Sequence, residues 1–141
     1  MRISKQIRVG EKQLTASGTV NVLEVSSAEL WAALQSPLAS PISSSMVFLE
    51  ANIMVVGELD SYAVLLRVLA RANAPAPFTG LSAQRKLLWE TLWDESPIGY
   101  ISDFDMSMSG DTLRVTVDAT SSVGDATTAK ATTWLKAWAN G

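Results

Sequence analysis

The 141-residue chain contains no histidine and no cysteine. Those two zeros remove imidazole bases, thiol nucleophiles, disulfides and the usual zinc ligands, and with them most familiar active sites. A Ser-x-x-Lys nucleophile is missing too, because Arg2, Val9, Ala83, Thr127 and Thr133 stand three residues before the lysines. The eight glycines are scattered singly and form neither a phosphate-cradling loop nor a dinucleotide fingerprint. Apolar runs such as 46–49 and 53–56 fall far short of the roughly 20 residues that span a bilayer. No apolar stretch follows Arg2, Lys5, Arg8 and Lys12, so the segment to Val25 reads as mature structure rather than a signal peptide. A soluble protein, cytoplasmic or virion-associated and without membrane insertion, is expected.

What is present describes one globular domain over 1–141. Apolar residues make up 48% and charged residues 18%, enough to bury a sizeable core. A net charge of −3 supplies no global field for a polyphosphate backbone, so no nucleic-acid partner is expected. Residues 36–45, rich in serine with two prolines, read as an internal loop. A domain linker is the alternative, but the 35 residues before it are too few to fold alone.

Local patterns then suggest elements. Ile3, Ile7 and Val9 followed by Gly10-Glu11 predict a β-hairpin near the amino terminus, and 19–25 predicts a strand with a bulge near Leu23. Ser26 three residues before Glu29 is a capping-box pattern, opening a helix over 28–35 that Pro37 closes. Residues 46–49 and 53–56 read as a tight hairpin around Glu50-Ala51-Asn52 at the sheet centre. Tyr62, Leu65, Leu66, Leu69 and Ala72 predict a helix over 61–72. A further helix is predicted over 82–93 from Leu88/Leu92 and Trp89/Trp93, and a last one from about Asp125 through Ala131, Trp134, Leu135 and Trp138. Between these helices, alternation in 98–108 and 113–117 around Ser109-Gly110-Asp111 marks a hairpin. The expected fold is therefore α+β, a mostly antiparallel sheet with three to four helices on one face; a β-sandwich with one or two packed helices is the neighbouring architecture.

Chemistry-bearing clusters are sparse. Asp103 and Asp105, with Asp94 and Glu95 before them, resemble a cation site only loosely, since their spacing fits no calcium loop, and a solvated sheet face explains them. Glu50 and Glu58 are the best available carboxylate pair for glycoside hydrolysis, but flanking charge that keeps strand edges soluble accounts for them. No catalytic residue, metal or cofactor is therefore expected.

Trp89, Trp93, Trp134 and Trp138 form two i, i+4 pairs suited either to a core or to a contact surface. Charge is polarised along the chain. Arg2, Lys5, Arg8 and Lys12 outweigh Glu11, whereas 90–125 holds eight acids, Asp103 and Asp105 among them, against Arg114. That acidic context argues against single-strand nucleic-acid stacking on the indoles. Opposite ends of opposite sign suit self-association, with Trp89, Trp93, Trp134, Trp138, Arg2, Lys5, Arg8, Asp103 and Asp105 as interface residues. The expected function is a non-enzymatic interaction or assembly subunit, in a bacteriophage virion, tail or related secretion machine. Two other classes compete: a chaperone, immunity or adaptor protein with one protein partner, and a carrier whose Met46, Phe48, Met54, Met106 and Met108 line an apolar cavity.

Overall fold

A period of two, rather than 3.6, organises nearly the whole chain. The structure, a computed structural model, describes residues 2–14, 18–36, 42, 45–57, 63–90, 101–119 and 129–140. In chain order the elements are β1 (Arg2–Leu14), β2 (Gly18–Ser26), α1 (Ser27–Gln35), β3 (Met46–Gly57), β4 (Ala63–Asn73), β5 (Thr79–Glu90), β6 (Ile101–Ser109), β7 (Thr112–Ala119) and β8 (Ala129–Asn140). They form two antiparallel sheets, one ordered β1-β8-β3-β4-β5 and the other β2-β7-β6.

The core lies between them. From the large sheet it takes Val47, Leu49, Ala51, Ile53 and Val55 of β3, Val64, Leu66 and Val68 of β4, and Leu135 with its alanine neighbours on β8. From the small sheet it takes Leu23, Val25, Met106, Leu113, Val115 and Val117. Three strands cannot cover five, and α1 helps fill the remainder with buried Leu30, Trp31 and Leu34. The Trp31 ring meets Phe78 edge to face at 6.1 Å. The helix starts where the capping box places it: Glu29 N–H donates to Ser26 Oγ at 3.1 Å, while Ser27 N–H donates to the Asp111 carbonyl at 2.8 Å.

The α+β expectation is corrected: the described residues contain one short helix and two packed sheets, close to the sandwich weighed beside it. The three other expected helices are strands wherever they are described. In β4, Val64, Leu66, Val68, Ala70 and Ala72 point inward, while Leu65, Arg67, Leu69 and Arg71 point out. In β8, Ala129, Ala131, Thr133, Leu135, Ala137 and Ala139 are all buried, with Lys130, Trp134, Lys136 and Trp138 opposite. A separation of four residues keeps two side chains on one face in either element, so the tryptophan pairs do not discriminate helix from strand. Helix-favouring Ala, Leu and Lys then tilted these segments the wrong way, and sheet burial overrode that weak preference.

Two expected hairpins are single strands. Gly10 lies mid-strand, where a Cβ would stand 3.1 Å from the Val22 carbonyl oxygen; it permits close approach of β2 rather than a turn. In β3, Ala51 is buried while Glu50 and Asn52 point to the other face, so those three residues continue the alternation. The register shift between Asn21 and Leu23, the central place of β3 and the β6–β7 hairpin match the sequence patterns. Of the predicted 36–45 loop, only Ser36, Ile42 and Ser45 lie within the described residues.

Candidate interaction surface

Every second residue of the large sheet faces away from the core, and strand register aligns these residues into rows. Across β1, β8, β3, β4 and β5 one row reads Ser4, Trp138, Phe48, Arg71 and Ser82. The next reads Gln6, Lys136, Glu50, Leu69 and Gln84, followed by Val9, Trp134, Asn52, Arg67 and Lys86. A fourth holds Glu11, Thr132, Met54, Leu65 and Trp89. Among the described residues, four of the five exposed large apolar side chains belong to this face: Val9 (47% exposed), Val56 (43%), Leu69 (42%) and Trp89 (50%). Phe48 and Trp138 stack at 5.8 Å with planes 12° apart. Together with Leu69, Arg71, Ser82 and Gln84 they line an open cleft of about 350 Å³.

Polar residues near the middle of this face satisfy one another. Arg67 Nε donates to Asn52 Oδ1 at 2.9 Å, Asn52 Nδ2 donates to Glu50 Oε2 at 3.0 Å, and Arg67 lies 3.8 Å from Glu50 Oε1. Lys130 pairs with Glu11 at 3.3 Å near the β1 edge. The described side chains of the face carry five cations (Arg67, Arg71, Lys86, Lys130, Lys136) and two carboxylates (Glu11, Glu50), a surplus of three positive charges.

The outer side of the small sheet has the reverse character. Glu24, Asp103, Asp105 and Asp118 stand there with Arg114 among Thr19, Asn21, Thr112, Thr116 and Ser107, and among the described residues no large apolar side chain joins them. Arg114 lies 3.3 Å from Glu24, and Thr19 Oγ1 donates to Asp118 at 2.5 Å.

The sequence-predicted interface residues therefore do not form one patch. Trp89, Trp134 and Trp138 share the aromatic, basic face, whereas Asp103, Asp105 and Asp118 stand on the outer side of the small sheet. Of the eight acids between 90 and 125, Asp94, Glu95 and Asp125 lie outside the described residues, and Glu90 neighbours Trp89 on β5. Trp93 lies outside the described residues, and Arg2 is described in its backbone only. Lys5 and Arg8 sit on the β1 edge strand, where Arg8 bonds to the Glu24 carbonyl and to Glu29 at 2.7 Å. Asp103 pairs with Arg85 of β5, and Asp105 accepts from the Met106 N–H at 2.8 Å. Asp94, Glu95 and Glu58 lie outside the described residues, among which no group of three or more acidic side chains is arranged to hold a metal. The methionine cavity does not assemble either: Met46, Phe48 and Met54 lie on the outer face, whereas Met106 and Met108 turn toward the core. Sequence reasoning missed Val9, Val56, Leu69 and the Glu50–Asn52–Arg67 network. Apolar residues at both parities of β4 were the available signal.

No family profile and no curated protein matches the chain. Among solved structures it is similar to the tailspike protein of Acinetobacter baumannii phage AM24, with 12% identity and a TM-score of 0.47. The likeness covers 96% of this chain and 26% of that one, so the chain spans about a quarter of the tailspike's length. No helix among the described residues is long and apolar enough to cross a membrane.

Proposed function

We propose that this chain is a non-enzymatic interaction or assembly subunit and that the outer face of its five-stranded sheet is the contact surface. One observation carries the reading: Val9, Val56, Leu69 and Trp89, from four different strands, are exposed on one side of one sheet. Scattered exposed apolar residues are ordinary, but a face that collects them is characteristic of a contact site.

Their exposed fractions leave roughly 300 Å² of apolar side chain in water. At about 25 cal/mol per Å², covering it is worth about 7 kcal/mol before costs. Association itself costs about 4–15 kcal/mol, so this patch needs a partner that brings apolar area of its own. The Glu50–Asn52–Arg67 network supports the reading because a partner can cover it without stranding those charges. Among the described carboxylates of the two outer faces, Glu50, Asp103, Glu24, Glu11 and Asp118 are engaged with Arg67, Arg85, Arg114, Lys130 and Thr19 respectively, a structural use of those groups. The proposed setting, a bacteriophage virion, tail or related secretion machine, rests on composition.

Sedimentation equilibrium tests the function. The wild-type chain is expected to show a mass above 15.1 kDa that rises with concentration, and Leu69→Asp is expected to lower it. A 15.1 kDa species at every concentration, unchanged by Leu69→Asp or Trp89→Ser, overturns the proposal.

A further inference from the structure

We infer that the partner of this face is the same face of a second copy, packed about a two-fold axis as one sheet on another. The inference rests on the assembly reading above and adds partner and symmetry to it.

Area argues first. Five strands spaced about 4.8 Å apart, each presenting about five outward residues along some 33 Å, make a footprint of about 800 Å². That is the contribution per partner of a standard stable interface. The small sheet, with three strands, offers less than half as much, about 370 Å² by the same spacing.

Surface chemistry argues second. The small-sheet face presents Thr, Asn, Asp and Glu, so stacking large face on small face would bury Leu69 and Trp89 against polar groups. A second large face brings its own Val9, Val56, Leu69 and Trp89, doubling the apolar area removed from water. Charge favours the rejected arrangement, because the two faces carry surpluses of opposite sign. Exposed charges are weak and screened, however, and the central Glu50 and Arg67 are already paired, so burial decides. The surplus then becomes a signature: Arg71, Lys86 and Lys136 of two copies repel, and salt should strengthen the dimer.

The natural absence of cysteine makes the symmetry directly readable. Leu69 lies on β4, next to the central strand, and a single Leu69→Cys substitution leaves the rest of the chain thiol-free. In a two-fold pairing of large faces, two such thiols lie in one interface, within reach of a short bismaleimide. In a head-to-tail stack, successive thiols are separated by two inter-sheet spacings, about 20 Å. The expected result is a covalent dimer from Leu69→Cys, none from Thr116→Cys on the small sheet, and a dissociation constant that falls as sodium chloride rises from 50 to 500 mM.

An associated species whose Leu69→Cys variant does not crosslink, or whose association weakens with salt, overturns the two-fold pairing while leaving the assembly reading intact. Capture of a single-stranded oligonucleotide by this face in place of a second copy overturns it too. A 15.1 kDa monomer throughout overturns both.

Discussion

Thr133 offers a sharp test of how the core is built. It is fully buried on the inner face of β8, opposite Ile53 of β3 and Gly10 of β1, and its Oγ1 has no hydrogen-bond partner among the described residues. A buried unsatisfied hydroxyl costs about 1–3 kcal/mol relative to its solvated state in the unfolded chain. Thr133→Val replaces that oxygen with a methyl of nearly the same shape and is expected to stabilise the fold by about that amount. For a chain of this size, each kcal/mol moves Tm by roughly 3–5 °C, so a rise of about 3–15 °C is expected. Calorimetry and urea unfolding with unchanged m-value measure it. Thr132→Val, one residue away on the outer face, serves as the control and is expected to stay within about 0.5 kcal/mol. Thr133→Ser keeps the hydroxyl, deletes a methyl and should lose about 1 kcal/mol. A Thr133→Val protein no more stable than wild type refutes the argument, because it means that the hydroxyl is satisfied in the folded protein.

Other positions test separate parts of the same account. Ser26→Ala removes the acceptor for the Glu29 N–H and is expected to lower stability by about 1 kcal/mol, seen as a lower urea midpoint at constant m-value. Gly10→Ala forces a Cβ to 3.1 Å from the Val22 carbonyl and should cost about 1–3 kcal/mol by overpacking; a neutral result would show that β1 and β2 separate easily. Gly80 and Gly110 share a φ of 62°, but a Cβ at Gly80 would also meet Asn73 Nδ2 at 2.8 Å while one at Gly110 meets nothing within 4 Å. Both alanine variants should lose about 1–2 kcal/mol from the left-handed backbone, with Gly80→Ala the more affected in thermal melts unless Asn73 swings aside. Arg85→Ala breaks the β5–β6 ion pair between half-exposed partners and should cost less than about 1 kcal/mol, an effect that vanishes in high salt.

The misread segments have a common cause. A strand with one wet face alternates plainly, as β7 does with Leu113, Val115 and Val117 against Arg114, Thr116 and Asp118. A strand whose outer face is also apolar loses that alternation. In β4, Leu65 and Leu69 outside, interleaved with Val64, Leu66 and Val68 inside, reproduce the spacing of an amphipathic helix. The feature that hid the strand is the one that marks the surface. Trp134 and Trp138 were legible as a pair on one face, but not which element carried them or that Trp89 would lie on the same sheet, which depends on pairings from β8 through β3 and β4 to β5.

By itself the sequence determined whatever depends on neighbours along the chain. It excluded thiol and imidazole chemistry, placed the Ser26 cap and the start of α1, and marked the β6–β7 hairpin and the bulge beside Leu23. Tertiary structure decided the rest: that Ala- and Leu-rich segments extend, that Gly10 admits a crossing backbone, and that basic aromatic and acidic residues part onto opposite outer faces. Capping and turn formation are satisfied within a few residues, whereas burial and charge segregation are set by partners far away in sequence. Where both periodicities fit, only those distant partners choose between them.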